Sequence, residues 1–148
     1  RRIEAKYMTA KHLFTQTAHG TPPKPADKLE LVTGGGAKGD QHEHRETRAL
    51  VLMSMFDIDQ LGLNPGDLRE QITLDLPELM SLNDGTILKI GAVEIRVDGD
   101  CDPCIHIGEL LGVEDREAFQ KSLLGHRGKL ATVLNGGIVA VGDETKIG

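Results

Sequence analysis

The chain has few aromatic residues: its 148 residues include three Phe, one Tyr and no Trp. Its core must therefore be mostly aliphatic, and it has almost none of the aromatic surfaces on which single-stranded nucleic acids stack their bases. The formal net charge of −6 at pH 7 argues against a general nucleic-acid-binding or anionic-membrane surface. A local basic pocket is compatible with this balance. We therefore expect neither a nucleic acid nor a membrane as a partner.

The sequence also lacks long hydrophobic runs. No apolar segment reaches the length needed to cross a bilayer, and no charged-then-apolar signal segment is visible. The sequence begins at Arg1 and not at a methionine. It is therefore compatible with further residues upstream, including a signal peptide that has been removed. Two cysteines, Cys101 and Cys104, are too few for a disulfide scaffold. These features favour a reducing, cytoplasmic setting.

What is abundant is glycine. Eighteen glycines divide the chain into short apolar segments, which is typical of a β-rich domain with many turns. The patterns predict strands at residues 3–9, 29–32, 49–54, 68–76, 86–90 and 93–97, an extended proline-rich loop at 19–27, helices at 57–63, 105–111 and 113–124, and a closing β-meander of strands at 130–134, 138–141 and 145–147. The prediction is one domain over residues 1–148, a twisted, mostly antiparallel β-barrel with a few short peripheral helices.

Cys101 and Cys104 lie three positions apart behind an apolar, strand-like run. Loop-forming residues surround them, so the pair is predicted at the exit of a strand, where a functional thiol is an alternative to a buried structural cysteine. A redox CxxC motif should precede a helix inside a βαβ unit, and no such unit is apparent. A structural zinc site needs four ligands, and there is no second CxxC.

Two histidines lie close together in the segment Gly39-Asp40-Gln41-His42-Glu43-His44, which also holds two carboxylates. In an extended segment His42 and His44 would point the same way, which would suit zinc or another divalent metal. The alternative is a solvated polar loop. His106 and His126 are isolated in the sequence and are predicted to be surface or edge histidines.

Three arginines, Arg48, Arg69 and Arg127, lie near glycine-rich turns or strand starts. A planar guanidinium group can bind two phosphate oxygens at once, so these residues together suggest an anion pocket in an otherwise acidic protein. The alternative for each is a surface ion pair. The strings that define a Walker loop or a dinucleotide-binding fingerprint are absent.

Read in order, these segments resemble the MOSC domain family, named for the C-terminal domain of molybdenum cofactor sulfurases. The resemblance covers most of residues 31–148 and rests on ordered strings: Gly39-Asp40-Gln41-His42, Arg48 before Leu50-Val51-Leu52, Pro65-Gly66-Asp67-Leu68-Arg69-Glu70-Gln71-Ile72, Gly85-Thr86-Ile87-Leu88-Lys89-Ile90-Gly91, Pro103-Cys104, Arg127-Gly128, Val133-Leu134, Gly137-Ile138 and Gly142-Asp143. Gln71 stands where the family usually has Asn, and Cys101 is an additional thiol. Residues 1–30 match poorly and carry no function from the resemblance.

The resemblance implies a mostly antiparallel β-barrel that binds a molybdenum cofactor (molybdopterin) or carries sulfur as a persulfide. In larger members the domain accompanies a pyridoxal-phosphate-dependent cysteine desulfurase or an amidoxime-reducing iron–sulfur enzyme, so a desulfurase or a reductase is the implied partner. Cys104 would be the catalytic thiol, as a persulfide carrier or a molybdenum ligand. The implied cofactor-binding residues are Arg69, Arg48, Asp40, His42, Glu70 and Arg127.

Two other interpretations stay open from the residues. One is a barrel without catalysis that binds an anion or docks on a partner. The other is a small zinc protein that uses Cys101, Cys104, His42 and His44.

Overall fold

The computed structural model describes residues 8–103 and 105–148. Within these residues, short strands alternate with long turns, and helices occur in two places. The strands are β1 (Ala10–Thr15), β2 (Lys24–Ala26), β3 (Lys28–Leu31), β4 (Leu50–Ser54), β5 (Ile72–Leu74), β6 (Ile87–Ile90), β7 (Val93–Asp100), β8 (Lys129–Asn135), β9 (Gly137–Ala140) and β10 (Thr145–Ile147), and the α-helices are α1 (Met55–Leu61), α2 (Ile105–Leu111) and α3 (Arg116–Ser122). A single 3-10 turn spans Leu79–Ser81.

Eight of these strands form one curled sheet with the order β10-β6-β7-β8-β4-β5-β1-β2. Its pairs are antiparallel except for β4 with β5, which run parallel. Strands β3 and β9 form a separate antiparallel pair. The curled sheet makes a half-barrel, so the predicted class, a mainly β, mostly antiparallel fold with few helices, is confirmed.

The core is aliphatic, as the scarcity of aromatic residues required. Strand β7 shows why it forms, since Val93, Ile95 and Val97 alternate with half-buried residues and lie fully buried inside the curl. Phe14 is the one aromatic residue among the buried side chains of the described chain. A second, smaller apolar cluster, which includes Ile58 of α1 and Ile107 of α2, fixes the helices against the sheet. Within the described residues, no helix is both long and apolar enough to span a bilayer.

The proline-rich segment differs from its prediction. Residues 24–26, expected in a loop, form edge strand β2, in which Pro25 is opposite Phe14 of β1. Proline lacks an N–H donor, but an edge strand leaves one of its two sides unpaired and so tolerates it. Residues 3–7 of the first predicted strand lie outside the described residues, and β1 begins at Ala10.

The predicted closing meander is wrong. Strand β8 pairs with β7 and β4, β9 pairs with β3, and β10 pairs with β6, so the last three strands do not pair with one another. The chain changes sheets at Gly136 and Gly137. A Cβ atom on Gly136 would lie 2.3 Å from the Leu31 carbonyl oxygen, and Gly137 has φ +150°, so glycine allows the sharp exit from β8 toward β3.

Three other predicted elements shift or shorten. The helix predicted at 57–63 begins at Met55, because the Ser54 hydroxyl accepts a hydrogen bond from the Phe56 N–H, and it ends at left-handed Gly62. The helix predicted at 113–124 is reduced to α3, whose N-cap is Asp115. The strand predicted at 68–76 is limited to β5. Helix α2 has the predicted bounds.

Candidate anion-binding site

Helix α2, the end of β1, the start of β4 and three loops enclose a cavity of about 180 Å³, here called the cationic pocket. Its wall combines cationic or titratable groups, amides and an apolar surface. These residues are Arg69, Arg127, His19, His42 and His106; Gln16, Gln41 and Gln71; and Val51, Ile107 and Leu110. Among the described residues, no carboxylate is part of this wall, so the pocket is suited to an anion.

Arg127 is the buried cation of the pocket. The residue is only 7% exposed, and its Nε and Nη1 atoms are buried without a hydrogen-bond partner among the described residues. A guanidinium group cannot lose its proton to escape this situation, and burying an unpaired charge is costly. These two donors therefore indicate an acceptor that the described residues do not supply.

The backbone around Arg127 is held in place from two sides. Gly128 has φ +97°, and a Cβ atom there would lie 2.3 Å from the Leu52 carbonyl oxygen, so this loop approaches β4 as only glycine permits. On the other side, His126 Nδ1 lies 2.7 Å from Oδ1 of buried Asp57 in α1. Half-exposed His126 thus connects the segment 126–128, here called the arginine loop, to helix α1.

Arg69 forms the outer edge of the pocket. Its φ of +63° is in the left-handed region, which is unusual for a residue other than glycine, and strain of this kind is often found at functional sites. Its Nη2 donates a hydrogen bond to the Thr21 carbonyl oxygen, and partial burial lowers its pKa. Arg69 and Leu110 also line a neighbouring cavity of about 210 Å³.

Three histidines surround the pocket. The His19 and His106 rings stack with their centroids 5.1 Å apart, and His106 Nδ1 lies 3.2 Å from Glu109 Oε2. Burial lowers the pKa of His42, the charge of Arg45 acts in the same direction, and Asp40 opposes them. His42 therefore favours its neutral form, in which the ring can both donate and accept a hydrogen bond.

Asp40 lies behind the wall and shapes it. Its Oδ2 accepts hydrogen bonds from Gln16 N at 2.9 Å and from Gln71 Nε2 at 3.3 Å, and its Oδ1 accepts one from His42 N at 3.0 Å. The same Gln71 side chain accepts a hydrogen bond from Val51 N at 2.6 Å through its Oε1. The amide at position 71 thus joins the Asp40 loop to β4.

Glu70 is also behind the wall and is only 1% exposed. Its Oε2 accepts a hydrogen bond from Thr73 Oγ1 at 2.8 Å, and its Oε1 has no well-formed hydrogen bond among the described residues. Burial raises the pKa of Glu70; backbone N–H groups at Gly66 and Glu70, the Thr73 hydroxyl and the charge of Arg127 oppose this rise without cancelling it.

The structure does not place Arg48 in the pocket wall. Arg48 is exposed, has φ +56°, and its N–H donates to Asp98 Oδ2 at 2.9 Å and to Thr132 Oγ1 at 3.0 Å. Burial alone would raise the pKa of Asp98, but the hydrogen bonds from Thr132, Arg48 and Arg96 together lower it. The Arg48 backbone therefore joins the start of β4 to β7 and β8.

The family model of the MOSC domain matches residues 41–146. The chain belongs to the MOSC domain family. This family is associated in general with the molybdenum cofactor. A search among curated proteins found no match.

Solved structures share the fold of this MOSC domain. The YuaD protein from Bacillus subtilis superposes with a TM-score of 0.82 at 24% identity, over 95% of this chain and 94% of that protein. YiiM from Geobacillus stearothermophilus gives 0.70 at 16% identity, over 95% and 75% of the two chains. YiiM from Escherichia coli gives 0.69 at 17% identity, over 97% and 70%. At these identities the similarity shows the fold alone.

Cys104 lies outside the described residues of the MOSC domain. Cys101 is half-buried, and its N–H donates to the Gly128 carbonyl oxygen at 3.0 Å, next to Arg127 in sequence. His106 and Ile107, which follow Cys104 by two and three positions, line the cationic pocket. In sequence, Cys104 thus directly precedes a helix that forms one side of the pocket.

The described residues of the MOSC domain contain no group of three or more His, Cys, Asp or Glu side chains that could hold a metal ion. His44 is exposed, and its Nε2 lies 3.6 Å from Glu43 Oε2. It does not line the pocket that His42 lines. Cys101, His42 and His44 therefore are not gathered into a metal-binding group, and the fourth ligand of the zinc centre considered from the sequence, Cys104, lies outside the described residues.

The pocket contains residues that sequence reasoning missed. Gln16 and His19 come from the segment that resembled no family string, and His106 was expected to be isolated. For His106 a signal existed, because it lies in the first turn of the helix after Pro103-Cys104. No local pattern marked Gln16 or His19, since only the packing of their segment against the 41–42 loop brings them to the pocket.

Proposed function

We propose that this MOSC domain binds a cofactor of the molybdopterin type, with the phosphate or another oxyanion of the cofactor in the cationic pocket. The observation that carries the proposal is the buried guanidinium of Arg127, whose Nε and Nη1 have no hydrogen-bond partner among the described residues, in a wall to which those residues contribute no carboxylate. Arg127 and Arg69 would hold the oxyanion by charge-assisted hydrogen bonds. The amide of Gln16, which also lines the wall, would orient it.

The size of the site supports an elongated ligand. The cationic pocket alone, about 180 Å³, is smaller than the roughly 300 Å³ at which ordinary ligand pockets begin. The neighbouring cavity of about 210 Å³ shares Arg69 and Leu110 with it and is lined by Pro22, Pro23 and Leu111. A ligand with an anionic group in the cationic pocket and a larger uncharged part in the neighbouring cavity would fill both cavities.

Cys104 is the proposed thiol of the site. A molybdenum cofactor would supply a redox-active metal in a sulfur-rich setting, and thiolates are suitable ligands for soft centres. The thiol could instead carry a persulfide received from a cysteine desulfurase, which is the sulfur-carrier form of the same proposal. His42, neutral and beside the pocket, would accept or donate a proton at its ring. A desulfurase or reductase partner and a cytoplasmic location belong to this proposal.

The test is metal loading in a host that makes the cofactor. We expect purified wild-type protein to carry molybdenum, measured per chain by inductively coupled plasma mass spectrometry. Arg127→Gln should carry at least about tenfold less, since a charged hydrogen bond contributes about 1.5–3 kcal/mol. Arg116→Gln is the matched control, because Arg116 is half-exposed and pairs with Glu109 on the surface. Equal loading of the Arg127 variant and the wild type would contradict the proposal.

The role of the thiol is tested separately. Native mass spectrometry after incubation with a cysteine desulfurase and cysteine should show the mass of one added sulfur atom on the wild type and not on Cys104→Ser. If Cys104→Ala leaves ligand loading unchanged while Arg127→Gln abolishes it, the protein is the binding barrel without catalysis that the sequence left open.

A further inference from the structure

Two oppositely charged groups are buried beside the cationic pocket and form no ion pair among the described residues. Arg127 lines the pocket, and Glu70 lies in sequence between Arg69 and Gln71, which line it too. Glu70 and Arg127 are 1% and 7% exposed, and the charge of Arg127 acts on the Glu70 carboxyl. Within the described residues they form no direct ion pair, and Glu70 Oε1 and Arg127 Nε and Nη1 remain without well-formed hydrogen bonds. Each group is therefore only partly compensated.

This arrangement makes the charge of Glu70 depend on what fills the pocket. When the pocket holds no anion, an ionised Glu70 partly offsets the buried charge of Arg127. When an oxyanion lies against Arg127, it offsets that charge directly, and an ionised Glu70 becomes a buried like-charge neighbour of the ligand. Burial and like-charge repulsion both favour the protonated carboxyl.

We propose that oxyanion binding beside Arg127 is coupled to protonation of Glu70, so that the protein takes up one proton with each anion. Glu70 is then a positioning residue that sets the charge of the site without touching the ligand. The proposal rests on the proposed function, because it requires an anion in the cationic pocket. Since coupling is reciprocal, the affinity for the anion rises as the pH falls through the range in which Glu70 takes up its proton.

Other titratable groups around the site must be separated from Glu70. Among the described residues, Arg127 is the charged side chain that acts on the Glu70 carboxyl, and Thr73 is its side-chain hydrogen-bond partner. Arg69 stays cationic throughout, and Asp40 lies behind the wall among hydrogen-bond donors. The histidines of the wall are His19, His42 and His106. Because histidine is in general the side chain that changes charge near neutral pH, these three are removed by substitution in the experiment.

The experiment uses sulfate, whose own charge does not change between mildly acidic and alkaline pH. Isothermal titration calorimetry in buffers with different ionisation enthalpies counts the protons taken up per sulfate bound. A variant with His19→Asn, His42→Asn and His106→Asn removes the histidine contribution. In this background we expect about one proton per sulfate in the middle of the Glu70 transition, and an affinity that changes up to about tenfold per pH unit.

Adding Glu70→Gln to that background places a neutral amide where the protonated acid would be. We expect proton uptake to fall to near zero, and sulfate to bind more tightly than in the parent at alkaline pH. Glu78→Gln is the control, because Glu78 is exposed. Unchanged proton uptake in the Glu70 variant would overturn the proposal, as would weaker sulfate binding at every pH.

A second measurement does not depend on the folding of the Glu70 variant. Infrared difference spectra of the wild type should show a protonated carboxyl C=O band that appears when sulfate is added. Absence of the band with sulfate bound would overturn the coupling while leaving the anion site intact. If wild-type protein binds no sulfate and carries no molybdenum, the proposed function itself fails, so the two failures are distinguishable.

Discussion

At the scale of single residues, the site is defined by polar groups whose partners are fixed or missing. Arg127 and Glu70 are buried with unmet hydrogen-bonding atoms, whereas Asp40 and Gln71 are buried with their hydrogen bonds made. The unmet hydrogen-bonding atoms of Arg127 and Glu70 destabilise the folded state, whereas the hydrogen bonds of Asp40 and Gln71 stabilise it. We therefore expect a functional role for Arg127 and Glu70 and a structural role for Asp40 and Gln71.

Gln71 gives a prediction at this scale, since the family resemblance leads one to expect Asn there. Its side chain accepts from Val51 N and donates to Asp40 Oδ2, and a side chain one methylene shorter cannot keep both bonds. Gln71→Asn should lower the free energy of unfolding by about 1 kcal/mol, measured by urea denaturation. Gln60→Asn, on the exposed face of α1, should have a smaller effect. Equal effects at both sites would show that the bridge contributes nothing.

At the scale of elements, glycines decide where strands and loops approach one another. The Gly136-Gly137 corner moves the chain from the large sheet to β3, and Gly128 brings the arginine loop against β4. Helix α2 forms one side of the pocket and is anchored by buried Ile107. The pocket thus depends on backbone contacts between elements distant in sequence.

Gly128 and Gly125 form a matched pair for testing this. Both have positive φ, +97° and +79°, but a Cβ atom would meet Leu52 O at 2.3 Å at position 128 and nothing within 4 Å at position 125. Both alanine variants carry the conformational cost, about 1–2 kcal/mol, and only Gly128→Ala adds a clash with backbone. We expect the free energy of unfolding of Gly128→Ala, measured in urea, to be at least about 2 kcal/mol lower than that of Gly125→Ala. Gly128→Ala should also lose sulfate affinity. Similar stabilities would contradict the close approach.

At the scale of the whole molecule, an acidic protein with a net charge of −6 contains a pocket to whose wall the described part of the chain contributes no carboxylate. Anion binding must therefore be local, directed by Arg127 against the overall charge. A ligand that binds only the folded state stabilises it by mass action. Without a ligand, the same buried charge should make the protein less stable than a variant that lacks the charge.

Arg127→Gln tests both consequences together. We expect sulfate to raise the melting temperature of the wild type beyond the effect of chloride at equal ionic strength, because at one hundred times the dissociation constant binding adds about 2.7 kcal/mol to the free energy of unfolding. The variant should lose this rise. Without sulfate, and at a pH low enough for Glu70 to be protonated, it should melt at or above the wild-type temperature, because a buried charge that is only partly offset has been removed and no buried carboxylate is left without its partner. A variant that melts lower and still responds to sulfate would contradict the assigned role of Arg127.

Local patterns predicted the elements well where local physics controls them. The bounds of α2 and β10 agree with the sequence patterns, because apolar spacing and flanking turn residues set them. The predicted meander failed, because β8, β9 and β10 pair with strands far away in the sequence. Strand pairing depends on which partners the fold brings near, and the period of a single strand does not contain that information.

The candidate site shows the same division. The ordered strings around Asp40, Arg69 and Cys104 are local and were legible in the sequence. The arrangement that joins Arg127 to His19, and that leaves Arg48 outside the pocket wall, exists only after the N-terminal segment and α2 pack around β4.

The sequence by itself determined an aliphatic, glycine-punctuated, mainly β domain with the strings of the MOSC family, because composition and short-range order control those properties. Only the tertiary structure decided which charges are buried and which are paired. Arg127 and Glu70 show the reason: whether a charged side chain is compensated depends on groups from distant segments, so its energy and its function are set by the packed fold.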